Sequence, residues 1–340
     1  MSESGAAHIS VLAQEVCAAL VPALPPTPGA ASVEVPTAIT GAGGAVRPRV
    51  LVDATAGLGG HTAAVLRVTR PDRAILFDRD PEALARARER LAGAPCPVSF
   101  VHAGFATIAA SLAALGIREV AAIVADLGVS SIQLDQPERG FSFRGDGPLD
   151  MRMDPTAGPS AAELLARIDV PRLTRILREY GEEPEARRIA AAVVEARPTT
   201  TRGLAQVVTT ALDGRARRKR TGRIHPATRT FMALRIEVND ELGQLDRFLA
   251  DAPSLLMVGG RLAVITFHSL EDRRVKRRWR ALSRPVQPPA HLPLRERDLP
   301  RPRFIVAPGY AGGVTAGVEE TEHNPRARSA RLRVLERCAP

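Results

Sequence analysis

The stretch from Val50 to Thr62, VLVDATAGLGGHT, decides the fold of this chain. A short apolar run ends in the carboxylate Asp53 and is followed at once by a glycine-rich turn and a stretch with helical spacing. A strand, a tight glycine turn and a helix in this order are typical of an open parallel sheet that binds a nucleotide-like ligand at the strand ends. Glycines at the turn let the backbone approach such a ligand closely.

The pattern repeats outward from this stretch. Apolar runs over residues 74–78, 98–101 and 120–126 alternate with helical patterns, and the runs at 74–78 and 120–126 also end in an aspartate. Strands that alternate with helices predict an α/β fold with a parallel sheet and right-handed crossovers. Further strands are predicted over 261–267, 304–306 and 332–335, and a long helix over 231–256.

The alternation is interrupted by a segment with helical spacing only. We therefore predict four regions, listed along the chain: an N-terminal helix at 1–21, a flexible Pro/Gly-rich segment at 22–48, an α/β domain at 49–136 and 227–340, and an inserted helical domain at 137–226. In the insert, Ser160 and Glu163 fit a capping box at the start of a helix.

Composition limits the classes of protein that need to be considered. The chain has 340 residues, of which 45% are apolar and 25% charged, as in ordinary globular proteins. No apolar run is long enough to span a bilayer, no leader pattern is visible at the start, and three scattered cysteines form no metal or disulfide motif. We expect a cytoplasmic protein that has reduced thiols and needs no metal.

The net charge of +10 favours a polyanionic partner. All but two of the 47 basic residues are arginines, so an Arg-rich composition without such a partner is the alternative. Two basic tracts, at residues 215–229 and 273–280, are the candidates for an RNA surface. The residues predicted to bind RNA are Arg217, Arg218, Lys219, Arg220 and Arg223 in the first tract and Arg277 and Arg278 in the second. A basic tract is more often a solvated face.

The glycine turn indicates which ligand could bind. Asp78 lies at the end of the next strand, where a carboxylate can accept hydrogen bonds from ribose hydroxyls. Thr62 stands where the dinucleotide motif has its third glycine. This difference disfavours a pyrophosphate, and with it a nicotinamide-linked oxidoreductase. It is compatible with S-adenosylmethionine, which has a ribose and an adenine but no phosphate. A tight turn that binds no ligand is the alternative.

The fourth strand leads into the polar stretch from Asp126 to Gln133, DLGVSSIQ. An Asx-type turn is the ordinary explanation of such a stretch. The loop that follows, residues 138–154, carries two Phe and two Met among paired charges. Because buried charge must be paired, we expect this loop to be ordered over a site.

With these motifs in place, the chain resembles the ribosomal RNA small subunit methyltransferase H family, also called MraW. The resemblance extends along nearly the whole chain from His8, and its motifs lie at 52–62, 126–154, 222–242, 266–273 and 324–333. It implies a class I, Rossmann-like methyltransferase fold with an inserted helical domain. It also implies methyl transfer from S-adenosylmethionine to N4 of cytosine 1402 in 16S rRNA, within the small ribosomal subunit.

Carried over residue by residue, the resemblance implies cofactor contacts from Gly59, Gly60, His61, Asp78, Phe105, Asp126 and Gln133. Without it, His61 would be read as a polar residue at a helix start and Phe105 as part of the core. The chain departs from the family at Ser10, where a proline is usual, and in its longer 22–48 segment.

Asp126 is the predicted catalytic residue, because a hydrogen-bond acceptor on the cytosine amino group raises the electron density on its nitrogen. Ser130 and His268 are second candidates. For the stretch after the fifth strand, a helix cap made by Ser269, with Glu271 and Asp272 in the first turn, is an equally good explanation. A non-catalytic RNA-binding or ribosome-assembly protein is the rival function. It would explain the charge, but not the glycine turn with its aspartates.

Overall fold

The computed structural model describes residues 10–24, 47–212, 225–284 and 302–339. The described residues fall into two compact units. The first contains the chain up to Gly128 and again from Gln244, and the second runs from Val129 to Gly243. The predicted α/β class with a helical insert, as the resemblance implies, is confirmed.

The first unit is built on one sheet. Its strands are β1 Val50–Asp53, β2 Arg73–Asp78, β3 Val98–His102, β4 Val120–Asp126, β5 Leu256–Thr266, β6 Phe304–Val306, β7 Val314–Thr315 and β8 Arg331–Arg337. The order across the sheet is β3-β2-β1-β4-β5-β8-β6, and β7 also pairs with β8. Strands β1 to β5 are parallel, whereas β8 runs antiparallel to β5.

The helices, numbered along the described chain, are α1 Ala13–Leu20, α2 Gly60–Val68, α3 Pro81–Arg90, α4 Ile108–Ala114, α5 Ser131–Asp135, α6 Ala161–Arg167, α7 Val170–Glu179, α8 Ala186–Ala196, α9 Thr201–Ala211, α10 Thr228–Asn239, α11 Glu241–Leu255, α12 Ser269–Leu282 and α13 Val318–His323. Short 3₁₀ helices lie at Val21–Ala23, Phe105–Thr107, Pro137–Arg139 and Pro325–Ser329.

The sheet is buried on both faces. Successive residues of a strand point to opposite faces, so Leu51 packs with Val65 and Leu84 on one side, while Val52 packs with Leu112 and Phe248 on the other. Burial on both faces explains why the parallel strands read as continuous apolar runs instead of alternating ones. The carboxyl ends of β1, β2 and β4 therefore carry the first polar side chains of each run.

The second unit has a core of its own. Leu165, Leu177, Val193 and Val208 are fully buried there, together with Phe231 of α10. The capping box that the sequence predicts at Ser160 is present, with Glu163 reaching back to the Ser160 amide at 2.8 Å. Because α10 packs into this core, the unit extends beyond residue 226 to Gly243. It begins at Val129, so it is wider at both ends than the predicted 137–226.

Three local predictions differ from the structure. The long helix expected over 231–256 is two helices, because Asp240 adopts a left-handed backbone with φ of 48°. Strand β5 begins at Leu256 instead of 261, since the chain passes through Gly259, at φ of 75°, as a bulge within the strand. At the start of the segment predicted to be flexible, a 3₁₀ helix spans Val21–Ala23 and Leu24 is buried. Residues 25–46 lie outside the described chain.

Candidate active site

The glycine turn after β1 is organised by Asp53. This buried carboxylate accepts hydrogen bonds from the Thr62 hydroxyl at 2.7 Å and from the Thr55 amide at 3.2 Å. Burial raises the pKa of the Asp53 carboxyl, and the hydrogen bond from Thr62 opposes that rise. Asp53 thus ties the strand end to the first turn of α2, which fixes the shape of the turn between them.

The turn also fixes the aspartate at the end of β2. The amide of Gly57 donates to Asp78 Oδ2 at 2.8 Å, and the amide of Asp80 donates to Oδ1 at 2.9 Å. Gly57 has φ of 48°, a conformation that glycine adopts at little cost. Desolvation raises the pKa of Asp78 to about 6, although both amide hydrogen bonds oppose the rise. The structure thereby brings the predicted ribose acceptor to the glycine turn.

Gly59, Gly60 and His61 form the end of the turn and the start of α2. Gly59 has φ of 73°, and a Cβ at that position would meet the side chain of Leu91 at 3.3 Å. His61 is buried, and its Nε2 donates to the carbonyl of Val11 at 2.8 Å. This bond leaves Nδ1 facing Asp126 Oδ2 at 3.6 Å. His61 therefore joins the N-terminal segment to the fourth strand end.

Asp126 ends β4 beside this histidine. Its amide donates to the Thr55 hydroxyl at 2.6 Å, and its side chain is 26% exposed. The Oδ1 atom is buried and has no hydrogen-bond partner among the described residues. Desolvation raises the pKa of Asp126 to about 6; His61 opposes that rise, and the charges of Asp53 and Glu271 add to it. A buried acceptor without a donor is costly, so Oδ1 is the atom of this site that a ligand would satisfy.

Phe105 lies at the end of β3, in the 3₁₀ turn that precedes α4. Its ring meets Phe248 of α11 edge-on, with 5.4 Å between the ring centres. The ring is half-buried and packs against the core on that face of the sheet. The core interpretation therefore holds for one side of Phe105, and its exposed remainder lies at the same sheet edge as Asp78.

The structure places Ser130 and Gln133 in the second unit. They form a capping box at the start of α5. The backbone amide of Gln133 donates to Ser130 Oγ at 3.3 Å, and the backbone amide of Ser130 donates to Gln133 Oε1 at 3.0 Å. This box gives both side chains a local structural role.

His268 follows β5 and caps α12, so Ser269 is the first helical residue and not the cap. Its Nε2 lies 3.2 Å from Glu271 Oε1, while Glu271 Oε2 accepts from the Phe267 amide at 2.8 Å. Asp272 pairs with the buried Arg333 at 2.7 Å. Glu271 therefore closes the start of the helix, whereas both ring nitrogens of His268 are buried without a hydrogen-bond partner among the described residues.

The basic tracts are described only in part. Arg217, Arg218, Lys219, Arg220 and Arg223 lie outside the described residues. On α12, Arg277 is exposed, whereas Arg278 donates to the carbonyls of Leu249 at 2.9 Å and Ala250 at 3.4 Å. Trp279 of the same helix is buried, so its role is core packing. The two arginines singled out on α12 thus differ, and Arg277 is the exposed one.

Sequence reasoning missed three partners of the site. Thr55 and Thr62 bind the strand-end aspartates, and Val11 orients His61 from the far side of residues 25–46. The two threonines flank the glycines in the sequence, which was a usable signal. Val11 gave no signal, because an orienting backbone carbonyl has no side-chain signature.

Among the residues that the structure describes, no helix has both the length and the apolar character to cross a bilayer. The same residues contain no group of three or more His, Cys, Asp or Glu side chains arranged to hold a metal ion.

Comparison with known proteins identifies the family. Residues 5–338 match the model of the MraW methylase family. The chain is 50% identical over 293 residues to the ribosomal RNA small subunit methyltransferase H of Bordetella pertussis, covering 85% of this chain and 78% of that protein. It is 47% identical over 343 residues to the protein of that name from Acidithiobacillus ferrooxidans (strain ATCC 23270), and the match covers 99% of this chain and 97% of that protein. It is 51% identical over 297 residues to the protein of that name from Halorhodospira halophila, and the match covers 85% of this chain and 88% of that protein. The chain therefore belongs to the MraW methylase family and is a methyltransferase.

Proposed function

We propose that this protein transfers a methyl group from S-adenosylmethionine to N4 of a cytosine in 16S rRNA, at position 1402, in the small ribosomal subunit. The names of its relatives support the substrate class, since each is called a ribosomal RNA small subunit methyltransferase. The proposal that the methyl group goes to an amino group rests on Asp126 Oδ1 at the end of β4, which has no hydrogen-bond partner among the described residues. An exocyclic amine is a hydrogen-bond donor, which is what this atom lacks.

The residues at the sheet edge fit the proposed methyl donor. Asp78 offers carboxylate oxygens to ribose hydroxyls, and the glycine turn beside it has no side chain at Gly57 to obstruct an amino-acid arm. We assign the contacts of the cofactor to Gly59, Gly60, His61, Asp78, Phe105 and Asp126, with Gln133 following from the resemblance alone. When bound, S-adenosylmethionine supplies a methyl group on a sulfonium, which departs as a neutral thioether.

Asp126 has two tasks in this proposal. Cytosine N4 is a weak nucleophile because its lone pair is delocalised into the ring. Oδ1 accepts a hydrogen bond from the N4 amine, which orients the nitrogen and opposes that delocalisation. As the new N–C bond forms, N4 must lose a proton, and the carboxylate at Oδ1 is placed to receive it. Positioning of this kind can contribute about 7–11 kcal/mol to the reduction of a barrier.

His61 acts on Asp126 and not on the base. Its Nδ1 lies 3.6 Å from Asp126 Oδ2, on the opposite oxygen from the one that receives the amine. Ser130 and His268 remain second candidates for contacts with the base. The target cytosine must leave its stack to reach a sheet edge, at a cost of a few kcal/mol.

RNA binding is assigned to the basic tracts. Of the two arginines predicted on α12, Arg277 is the one available for phosphate contacts, because it is exposed. Arg217, Arg218, Lys219, Arg220 and Arg223 are assigned to the same task from the sequence. From the proposed ribosomal RNA substrate we also infer that the reaction takes place in the cytoplasm.

The deciding experiment is mass spectrometry of 16S rRNA nucleosides from cells with and without the gene. We expect N4-methylcytidine at position 1402 to be lost on deletion and restored by the intact gene, but not by a gene that carries Asp126→Ala. A modification level unchanged by deletion would refute the proposed target. Binding of the RNA without any methyl transfer by the purified protein would favour the ribosome-assembly alternative.

A further inference from the structure

Gln244 on α11 carries a polar atom that the proposed reaction does not use. Its Oε1 is buried and has no hydrogen-bond partner among the described residues. The atom lies over Gly104, where a Cβ would come within 3.1 Å of it. An acceptor left without a donor in the folded chain is costly, and a donor from outside the chain would remove that cost.

The atom lies at the sheet edge that holds the candidate site. Gly104 follows β3, and the amide of the preceding Ala103 donates to the backbone carbonyl of Asp78 at 3.0 Å. Phe105 comes next in the chain, and its ring meets Phe248, which is one helical turn beyond Gln244 on α11. An aromatic ring and an unsatisfied amide oxygen thus flank the same short loop.

Strand order shows what could reach this loop. The glycine turn follows β1, which lies on one side of β2, and the loop with Gly104 follows β3, which lies on the other. Asp78 ends β2 between them. A nucleoside whose ribose is bound by Asp78, and whose amino-acid arm follows the glycine turn, therefore directs its base toward Gly104 and Phe105.

We propose that Gln244 recognises the adenine base of the methyl donor, with Oε1 accepting a hydrogen bond from the exocyclic 6-amino group. This inference rests on the proposed function. A glutamine amide is a good partner for adenine, because it can accept from the 6-amino group and donate to a ring nitrogen together. A 6-oxo purine places an acceptor opposite Oε1, so Gln244 discriminates against it. Gln244 is thus a specificity-determining residue.

The test is a comparison of two ligands by calorimetry, without turnover. S-adenosylhomocysteine carries the 6-amino group, and S-inosylhomocysteine carries a 6-oxo group in its place. We expect the wild-type protein to bind the adenosyl compound more tightly by about ten-fold or more. Gln244→Ala should lose most of that preference, and Gln244→Leu should do so while conserving side-chain volume. Gln206→Ala, which alters an exposed glutamine of α9, should keep it.

Stability without ligand distinguishes this role from a structural one. Because Oε1 has no partner within the described chain, Gln244→Leu should leave the melting temperature of the ligand-free protein unchanged or higher. Preference for the adenosyl compound that persists in both Gln244 variants would overturn the assignment and leave the proposed function standing. If the wild-type protein bound neither compound, the proposed cofactor and the role of Gln244 would both be refuted.

Discussion

His61 presents Nδ1 to the carboxylate of Asp126 at 3.6 Å, because its other ring nitrogen donates to the carbonyl of Val11. A backbone carbonyl can only accept, so Nε2 must carry a hydrogen. The N-terminal segment therefore determines which ring nitrogen of His61 lies beside the carboxylate of Asp126. Thr55 holds Asp126 at its amide and His61 lies beside Oδ2, so Oδ1 is the carboxylate oxygen without a partner among the described residues.

Asp126→Ala should abolish methyl transfer and leave the fold intact. In the proposed mechanism this substitution removes the acceptor for the substrate amine, so kcat should fall by roughly 100-fold or more. The melting temperature should not fall, since the substitution removes a buried and unsatisfied oxygen. Asp251→Ala, at an exposed position of α11, is the matched control and should retain activity. Turnover of Asp126→Ala at the wild-type rate would remove Asp126 from the mechanism.

The rate should depend on pH through the same carboxyl. Desolvation raises the pKa of Asp126 to about 6, so the carboxyl is protonated below that value and is then a poor acceptor. We expect the rate constant of methyl transfer, measured in single turnover, to rise with pH through about 6 and then to level off. Asp126→Asn should lack this limb. A wild-type rate that stays constant from about pH 5 to 7 would contradict the ionisation requirement.

Stability should change with pH in the opposite direction. The pKa of Asp126 is about 6 in the folded chain, above its ordinary value of 3.8, so the folded state binds the proton more tightly. The contribution of this tighter proton binding to the stability of the folded state is fully present below about pH 4 and is lost as the pH rises through about 6. The free energy of unfolding of the wild type relative to Asp126→Asn should fall over that range in denaturant titrations. An unchanged difference would show that the environment of Asp126 does not penalise its charge.

Arg277 and Arg278 should separate RNA binding from stability. Arg277 is exposed, so Arg277→Ala should weaken RNA binding similarly for all sequences and reduce the slope of log affinity against log salt by about 1. Arg278 donates to backbone carbonyls of α11, so Arg278→Ala should mainly lower the melting temperature. A salt slope that does not respond to Arg277→Ala would exclude this face of α12.

Glu320 should anchor the N-terminal segment. Its Oε1 accepts from the Leu12 amide at 2.7 Å, next to the Val11 carbonyl that binds His61, and Leu12 is held at φ of 54°. Glu320→Ala should increase hydrogen exchange of the amides of α1 and weaken S-adenosylhomocysteine binding through His61. Glu319→Ala, at the exposed neighbouring position, is the control. Equal exchange in the two variants would mean that the anchor lies elsewhere.

The sequence predicted the parts of this site that depend on strand periodicity. Asp53, Asp78 and Asp126 end apolar runs, and strands buried on both faces must end where the first charge appears. The glycine turn was equally visible, because positive φ angles at Gly57 and Gly59 require that residue type. The meeting of these groups at one edge then follows from parallel pairing alone.

The parts that could not be predicted are contacts between distant segments. Within the second unit, the side chain of Asn239 bonds to the Met153 amide at 2.8 Å and to the Met151 carbonyl at 2.7 Å, and so orders the loop that the sequence marks only as unusual. Val11 acts in the same way, because its carbonyl binds a histidine that lies 50 residues further along the chain. No local pattern encodes such pairs, because they depend on tertiary packing.

The antiparallel β8 and the insert before β5 impose an order of events on synthesis. Strand β4 is complete at Asp126, but its neighbour β5 starts only at Leu256, and β8 comes last at Arg331–Arg337. At about 5–20 residues per second, β4 keeps an open edge for roughly 6–26 s while the second unit emerges. That unit has its own buried core and can fold during the interval. The nascent chain is therefore most vulnerable to aggregation just before the strand that completes the parallel sheet is available to pair with β4.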